Sequence, residues 1–425
     1  MSKLKVLVVG ASIAGPTAAY WFAKAGAQVT IIERFPKLRT NGQSIDIRTA
    51  GVTVMRKMPR MEAAVRAKST QMEGISFVRD DGRSYGTITA TGNPDQQSLV
   101  SEYEIFRGDL AQILFDLTKD NENIKYVFGE QVASMQQNEK DDGDGDGPLT
   151  VEFTNGLPTS QYDLVVACDG ATSRTRAIGF GCSVRDHIRP TNCWAAYFSI
   201  EQDLLKGSKM GHSYSAPGGR WIAIGPDPSG VNRVALMGIH PRDNRDATLK
   251  FREAMKQGDD ALKQFVAQNF QGVGWKTDEV IKDMMEAGDF YASEVVQVKT
   301  PTLYEGRFVL VGDAGCAPGF TGAGTTLAIA GAYVLAGEVG RHKGNLAAGL
   351  RGYEDIMRPI IDDLQKVPPL VPTIFAPQTA WGIWLRNNIF GFIAWTRILE
   401  FAQRFFAGAF ASTDKYGLPD YEWVA

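Results

Sequence analysis

The sequence predicts an α/β protein. It has a nucleotide-binding domain on a parallel sheet, a smaller α+β domain on an antiparallel sheet, and a C-terminal helical segment. Three observations carry this. Leu4–Val9 is an apolar run followed by Gly10-Ala-Ser-Ile-Ala-Gly15, a helical pattern to Ala25, and a second strand Gln28–Ile32 ending in Glu33. Three strand ends far apart in the chain carry a carboxylate with a glycine turn: Glu33 after the first glycine loop, Asp169-Gly170, and Gly312-Asp313. Asn192–Ile239 reads as four strands, WAAYFSI, MGHSYSA, RWIAIGP and RVALMGI, parted by turn residues such as Pro217-Gly218-Gly219. Strand, glycine turn, helix and strand form a dinucleotide-binding unit, in which the backbone approaches a pyrophosphate at a helix N-terminus. The strand-rich run marks the second domain.

Taken in order, Glu33 stands where an acidic group would hold a ribose diol and repel a 2′-phosphate. Gln43–Arg48 alternates like a short strand, and Thr49–Met58 reads as a helix. Asp46 and Arg48 fit a surface ion pair and a cofactor contact equally well. Gly74–Val78, Gly82–Thr89 and Leu99–Ile105 read as strands of a meander. Arg107 then opens an amphipathic helix, where a cation opposes the helix dipole and is better suited to reaching an anionic ligand. Ile124–Phe128, Gln131–Gln136, Leu149–Phe153 and Tyr162–Ala167 are expected strands, the last running into Cys168-Asp169-Gly170. Asp246–Asn269 and Asp278–Ala287 are expected helices, and Glu294–Val298 a returning strand. Phe308–Val311 is a buried-strand pattern. Behind its Gly312-Asp313 end lies a Gly/Pro-rich loop, then a small-residue helix from Thr325 to Val339. The free N–H groups around Gly322, Gly324 and Thr325 can hold something negative or carbonyl-rich.

Composition excludes several functions. The chain has 425 residues, 44% apolar and 22% charged, with a formal charge of -3, which gives no reason to expect nucleic acid as a partner. Met1–Lys5 leads straight into a strand, so no cleavable signal is expected, and the cytoplasm is the expected location. Cys168, Cys182, Cys193 and Cys316 lack metal-ligand or CxxC spacing and are expected to be free thiols. Cys316 lies in the glycine loop, where a small buried filler is expected and reactivity is the alternative. Asp142, Asp144 and Asp146 imitate the start of a calcium loop, but position 153 is Phe where that loop needs a glutamate, so no metal is expected. Trp381–Phe410 is aromatic-rich, with an uncharged stretch from Asn387 to Thr396 that is shorter than the roughly 18–20 residues needed to span a bilayer. Arg397, Glu400 and Arg404 form a polar stripe. The stretch is expected to pack on the body or on a partner subunit, with peripheral membrane contact as the alternative.

Across about the first 360 residues, the motifs GASIAG with Glu33, CDGATSRTR, and GDAGCAP with GAG resemble those of the class A flavoprotein monooxygenases. This is the aromatic-hydroxylase or FAD-binding monooxygenase group, and the chain is most similar to its branch that includes tetracycline-inactivating enzymes. The resemblance implies a Rossmann-like FAD-binding domain of the para-hydroxybenzoate hydroxylase type, formed by residues 1–73, 106–186 and 300–365. A substrate domain would take 74–105 and 187–299, and C-terminal helices 366–425. By the same resemblance Gly10, Ser12, Ile13 and Ala14 would approach the FAD pyrophosphate, Glu33 the ribose, and Arg34 the adenine end. Arg107 would reach the phosphate and ribityl chain, Asp313 the ribityl hydroxyls, and Gly322, Ala323, Gly324 and Thr325 the flavin pyrimidine edge. Asp46, Val132 and Asp169 complete the implied cofactor set, and Asp169–Arg176 is where a nicotinamide nucleotide would pass. Two residues depart from the family pattern: Cys316 stands for the usual histidine and Thr325 for the usual asparagine.

The implied activity is NADPH- or NADH-consuming insertion of one oxygen atom of O2 into an aromatic or polycyclic small molecule, through a flavin C4a-hydroperoxide. It would serve secondary metabolism or xenobiotic inactivation in a monomer or homodimer. The flavin carries the chemistry, so no indispensable protein nucleophile is expected. Substrate-side candidates are Tyr197, His212, Tyr214, Trp221 and Met237 on the expected sheet, although strands favour such residues and packing is the stronger expectation for each, and Pro318 in the loop. The alternative is an oxidase, reductase or other non-oxygenating tailoring enzyme of the same fold. A halogenase lacks support, because Trp381-Gly-Ile-Trp384 has the wrong spacing for the WxWxIP signature.

Overall fold

The computed structural model describes residues 3–39, 42–93, 100–139, 146–241, 243–244, 247–343, 345–367, 371–396 and 415–424. Its centre is a six-stranded sheet ordered Tyr304–Glu305, Phe308–Leu310, Leu164–Ala167, Lys5–Val9, Gln28–Glu33, Ile124–Phe128. All neighbours are parallel except the first pair. Both faces are covered, which is why its strands read as continuous apolar runs instead of alternating ones. The Ala14–Lys24 helix covers one face with Ala18, Ala19 and Phe22 fully buried, and Gly26 at φ +85° turns the chain back into the next strand. The Gly324–Arg341 helix is buried along nearly its whole length, because its Gly and Ala residues let neighbouring helices approach closely. Full burial of side chains such as Phe22, Ile31 and Leu335 contributes about 1.5–3 kcal/mol each.

The second sheet has seven strands in the order Tyr291–Val298, Ile188–Ile200, Asn232–Ile239, Arg220–Pro226, Met210–Ala216, Gly74–Val78, Ser84–Thr89. It is antiparallel except where Met210–Ala216 meets Gly74–Val78. One face carries Trp194, Phe198, Ile222, Ile224 and Leu236. The helices Leu249–Gln257, Asp259–Phe270 and Thr277–Glu286 cover it, and Trp194 stacks on Phe251 at 5.5 Å. The expected helix Asp246–Asn269 is thus two, broken by Gly258 at φ +106°.

Two strand expectations are corrected. Of the expected strand Leu99–Ile105, Leu99 lies outside the described residues and the rest does not join the meander: among the described residues there, Glu104–Phe106 is the strand, and it pairs with Ser44–Asp46 in a separate two-stranded sheet. Tyr162–Ala167 divides into Ser160–Tyr162, paired with Asp146–Phe153, and Leu164–Ala167 in the central sheet. Asp142 and Asp144 of the acidic run lie outside the described residues, as do Arg397, Glu400 and Arg404.

After the Leu346–Leu364 helix, Ala380–Trp395 docks on the second sheet. Phe390 meets Phe77 at 5.0 Å, while Arg386 donates to Tyr85 Oη and Ser215 Oγ, both at 3.1 Å. Its outer side exposes Trp381, Trp384, Ile389 and Phe392. Among the described residues no helix is long and apolar enough to cross a membrane. Residues 415–424 return to the first domain. There Trp423 packs on Trp21 at 4.7 Å, and the Tyr421 hydroxyl donates to the buried Glu338 at 2.8 Å.

Candidate functional site

Parallel pairing brings the distant strand ends together. Val9 is in register with Ile32 on one side and Ala167 on the other, and Ala167 with Leu310, so Gly10, Glu33, Asp169 and Asp313 all leave the same carboxyl edge. The glycine turn could not be built otherwise. A Cβ on Gly10 would lie 2.7 Å from the Cys168 carbonyl oxygen, and one on Gly15 only 1.8 Å from that of Gly10. Gly312, at φ +64°, brings the Asp313 loop against Ala14, where an added Cβ would sit 3.2 Å from the Ala14 Cβ. Ser12 is half-buried in the turn, and the helix behind it starts at Ile13–Ala14 without a side-chain cap. The helix beginning at Gly324 is uncapped in the same way, with Gly322 exposed and Ala323 and Thr325 buried. Two helix N-termini with free N–H groups thus belong to the loops that meet at one edge, and each favours negative charge.

The charged groups complete the donor set. Glu33 accepts from the Ala11 N–H at 2.9 Å and the Phe35 N–H at 3.1 Å, fixing the turn and leaving further lone pairs on both oxygens. Asp313 has an exposed side chain, but protein crowds it on its other sides. That burial pushes its carboxyl above the usual aspartate range, and facing Arg107 pulls it back. Arg107 heads its helix, its N–H bonded to the Gln43 carbonyl at 3.0 Å. Glycine cradles, uncapped helix ends, a carboxylate at the second strand end, and an open aspartate with an arginine in its field suit a dinucleotide with two phosphates and a polyol chain. FAD has that chemistry, and the residues fit it.

Other expected positions serve different ends. Asp169 turns into its own loop, accepting from Ser173 Oγ at 2.5 Å, Thr175 N at 3.1 Å and Thr175 Oγ1 at 2.9 Å. Arg176, fully buried, donates to the carbonyls of Ala314, Ala171 and Val184, so the segment expected to meet nicotinamide braces the Asp313 loop. Asp46 pairs with Arg48 at 3.0 Å, the ion-pair alternative of the two. The Val132 side chain is in the core with Val9 and Ile32, and Arg34 is exposed over the Phe35 ring at 4.7 Å. Cys316 is a buried filler. Its Sγ donates to the Gly312 carbonyl at 3.1 Å, and burial pushes the thiol far up.

Beside Arg107 lies a cavity of about 250 Å³, lined by Gln43, Ser44, Glu104 and Phe106 on one side and, on the other, by the sheet face opposite the three covering helices, where Phe375 packs on Trp221 at 5.1 Å. Trp221 is in register with Met237, and Tyr197 with Ala235, so these three expected residues share that face. Trp221 Nε1 donates to Ser213 Oγ at 2.8 Å. His212 and Tyr214 do not share it. They are paired with Ile224 and Ile222, which places their side chains on the helix-covered face, near Trp275. The Tyr214 hydroxyl bonds Asp80 at 2.6 Å, and His212 reaches the cavity only at its margin, its imidazole pushed down by burial and by Lys276. Pro318 is buried against Gly324 and accepts at its carbonyl from Gln297 Nε2 at 3.1 Å.

Sequence reasoning missed Gln43, Glu104 and Thr326. Thr326 Oγ1 donates to the Arg48 carbonyl at 3.0 Å and accepts from the Arg48 N–H at 3.2 Å, tying the Asp46 strand to the glycine-headed helix. A glutamate in the otherwise apolar strand before Arg107 was the available signal for Glu104.

Comparison with known proteins agrees with this geometry. Residues 3–355 match a family model described as an FAD binding domain. The chain is 34% identical over 422 residues to the FAD-dependent monooxygenase asL4 of Sarocladium schorii, covering 94% of each chain. It is 31% identical to monooxygenase CTB7 of Cercospora beticola, over 99% of this chain and 98% of that one. A crystal structure of the tetracycline destructase Tet(51) superposes with a TM-score of 0.75 at 26% identity, covering 99% of this chain and all of the other.

Proposed function

Because the chain belongs to the FAD-binding family of class A flavoprotein monooxygenases, and is an FAD-dependent monooxygenase, we propose that it oxygenates an aromatic or polycyclic small molecule at the expense of NADPH or NADH. The observation that carries this reading is a cavity walled by Trp221, Met237, Tyr197 and Phe106 at the head of the Arg107 helix, where the lining residue Gly42 sits against the Arg107 side chain.

Bound FAD would supply the redox chemistry and the activation of O2. Asp313 would accept hydrogen bonds from the polyol chain, Arg107 would hold the phosphates, and the Gly324 helix end would offer its positive pole to the flavin. Trp221, Met237 and Phe106 hold a flat ring and keep water from the reacting carbon. Tyr197, its phenol pushed far up by burial, stays neutral and can donate one hydrogen bond to the ring's substituent.

The test is a panel of phenolic and polycyclic compounds offered to the yellow, FAD-loaded protein with NADPH or NADH under labelled O2. A substrate should accelerate consumption of the reductant and gain one labelled oxygen atom by mass. Reductant consumption coupled to a dehydrogenated, unlabelled product would replace this reading with an oxidase or reductase.

A further inference from the structure

The loop from Gly312 to Gly319, which carries Asp313, is held from behind by donors that arrive from elsewhere in the chain. The Ala314 carbonyl is taken by Arg176 Nη1 at 2.6 Å, that of Ala317 by the Val298 N–H at 3.0 Å, and that of Pro318 by Gln297 Nε2 at 3.1 Å. Pro318 has no N–H and its pairing with Gln297 is an isolated bridge, so a side chain does here what a ladder does in a longer strand. Two glutamines share the task. Gln297, in the Tyr291–Val298 strand, also donates to the Gln365 carbonyl at 2.7 Å. Gln365 is 5% exposed where the Leu346–Leu364 helix ends, and its Nε2 donates to the carbonyls of Val298 at 2.8 Å and Ala317 at 3.1 Å. All four acceptors are carbonyls, which cannot donate, so an NH2 group fits at both places and a carboxylate at neither. Gly319, at φ +71°, lets the turn come this close: an added Cβ would lie 2.9 Å from Gln297 Cγ.

We propose that Gln297 and Gln365 form an amide clamp that positions the cofactor: by fixing the Ala317–Pro318 peptide they hold the Asp313 loop and the Gly324 helix start ready for FAD. They act through the loop, which makes them positioning residues. The inference rests on the reading that this loop meets the FAD polyol chain, and adds what keeps the loop in place. Each amide gives one N–H to the turn and the other to a neighbouring element, so strand, helix and loop are tied at one point. The strand belongs to the second sheet and the helix to the first domain, so the tie also joins the two. Its reach to the cofactor groups is short. A Cβ on Gly324 would lie 3.2 Å from Asp313 Oδ1 and 3.7 Å from Pro318 Cδ, so the open carboxylate, the helix start and Pro318 make one contact. A loop already held needs no ordering when a ligand arrives. A released loop occupies the binding position for part of the time, and apparent affinity falls by that fraction.

The experiment is titration of the full-length apoprotein with FAD, read by flavin fluorescence, with the visible absorption of the bound flavin and denaturant unfolding measured on the same variants. Gln297→Met keeps the length of the side chain and removes its donors. It should bind FAD about tenfold more weakly, the loss expected when the hydrogen bonds of one amide no longer hold the loop. The visible band of the flavin that does bind should shift, a change that lost stability alone would not produce. Gln365→Met should do the same, and the double variant should be little worse than either, because each loss releases the same turn. Gln378→Met is the control. Its Nε2 likewise donates to two carbonyls, of Ile239 at 3.0 Å and Ala376 at 3.1 Å, but against the second sheet. It should lower stability and leave FAD affinity within about twofold of wild type. Wild-type FAD affinity in Gln297→Met or Gln365→Met, or an equal loss in Gln378→Met, overturns the proposal. Should one of the two clamp variants not fold, the other decides. Asp313→Asn separates the two readings. If it weakens FAD binding and the clamp variants do not, the clamp alone fails; if none of them does, FAD does not meet this loop and both readings fail.

Discussion

Asp169 and Asp313 stand at the ends of neighbouring parallel strands, each beside a glycine with positive φ, and in the sequence they look like one motif used twice. Their surroundings part them. The Asp169 oxygens are met by a hydroxyl, an N–H and a second hydroxyl from the next six residues, and the chain has closed on itself. The Asp313 carboxylate is exposed, faces Arg107, and has a glycine helix start at its back, where an added Cβ on Gly324 would sit 3.2 Å from Oδ1. A carboxylate satisfied by its own loop builds structure, and one kept open in crowded surroundings is available to a ligand.

Mutagenesis can break or sharpen that contrast. Asp169→Ala should be the most damaging change. It strands three donors and the start of the Arg174–Gly179 helix, so about 3–4 kcal/mol of stability should be lost in denaturant unfolding, while FAD affinity of the folded fraction stays near wild type.

A third carboxylate, Glu104, extends the comparison. Burial and the facing Asp46 push its carboxyl in the folded protein up to about 7, above the ordinary 4.5, so the folded protein holds a proton that the unfolded chain releases. Below the lower value the group is neutral in both states, and stability falls as pH rises through the window and stays lost above it. Relative to Glu104→Gln, the wild type should lose about 3 kcal/mol across that interval in unfolding measured against pH. A parallel pair of curves would sink this.

Asp313→Asn should do the reverse of Asp169→Ala. FAD should bind about 10–100-fold more weakly by titration of the apoprotein, with stability changed by less than about 1 kcal/mol. Arg107→Gln should have the smallest effect, about tenfold in FAD affinity, since one half-buried helix-start cation is replaced by a group that still donates. If Asp169→Ala proves the cofactor mutant and Asp313→Asn the stability mutant, the contrast is wrong.

The Leu4–Glu33 unit, the Gly306–Val339 stretch and the strands between Asn192 and Ile239 were legible because each signal is local: an apolar run, a glycine where no Cβ fits, a turn residue between strands. The site was legible as far as backbone and strand ends define it, at Gly10, Glu33, Asp313 and Gly324. Tyr197, Trp221 and Met237 were separable from His212 and Tyr214 only through strand pairing, because alternation sorts side chains into two faces without saying which face the helices will cover. The return of Trp423 to Trp21 has no local signal at all.

By itself the sequence determined which elements form and which loops can approach a dinucleotide, because steric limits on φ and the need to bury apolar periods act within a few residues of each position. Only the tertiary structure decided that Glu104 would face Asp46, that Gln43 would keep an unpartnered oxygen in the cavity, and that one of two like aspartates would stay open. Those outcomes depend on which groups arrive from hundreds of residues away to donate, crowd or neutralise. A carboxylate's role follows from the donors and charges around it, and those are set by packing.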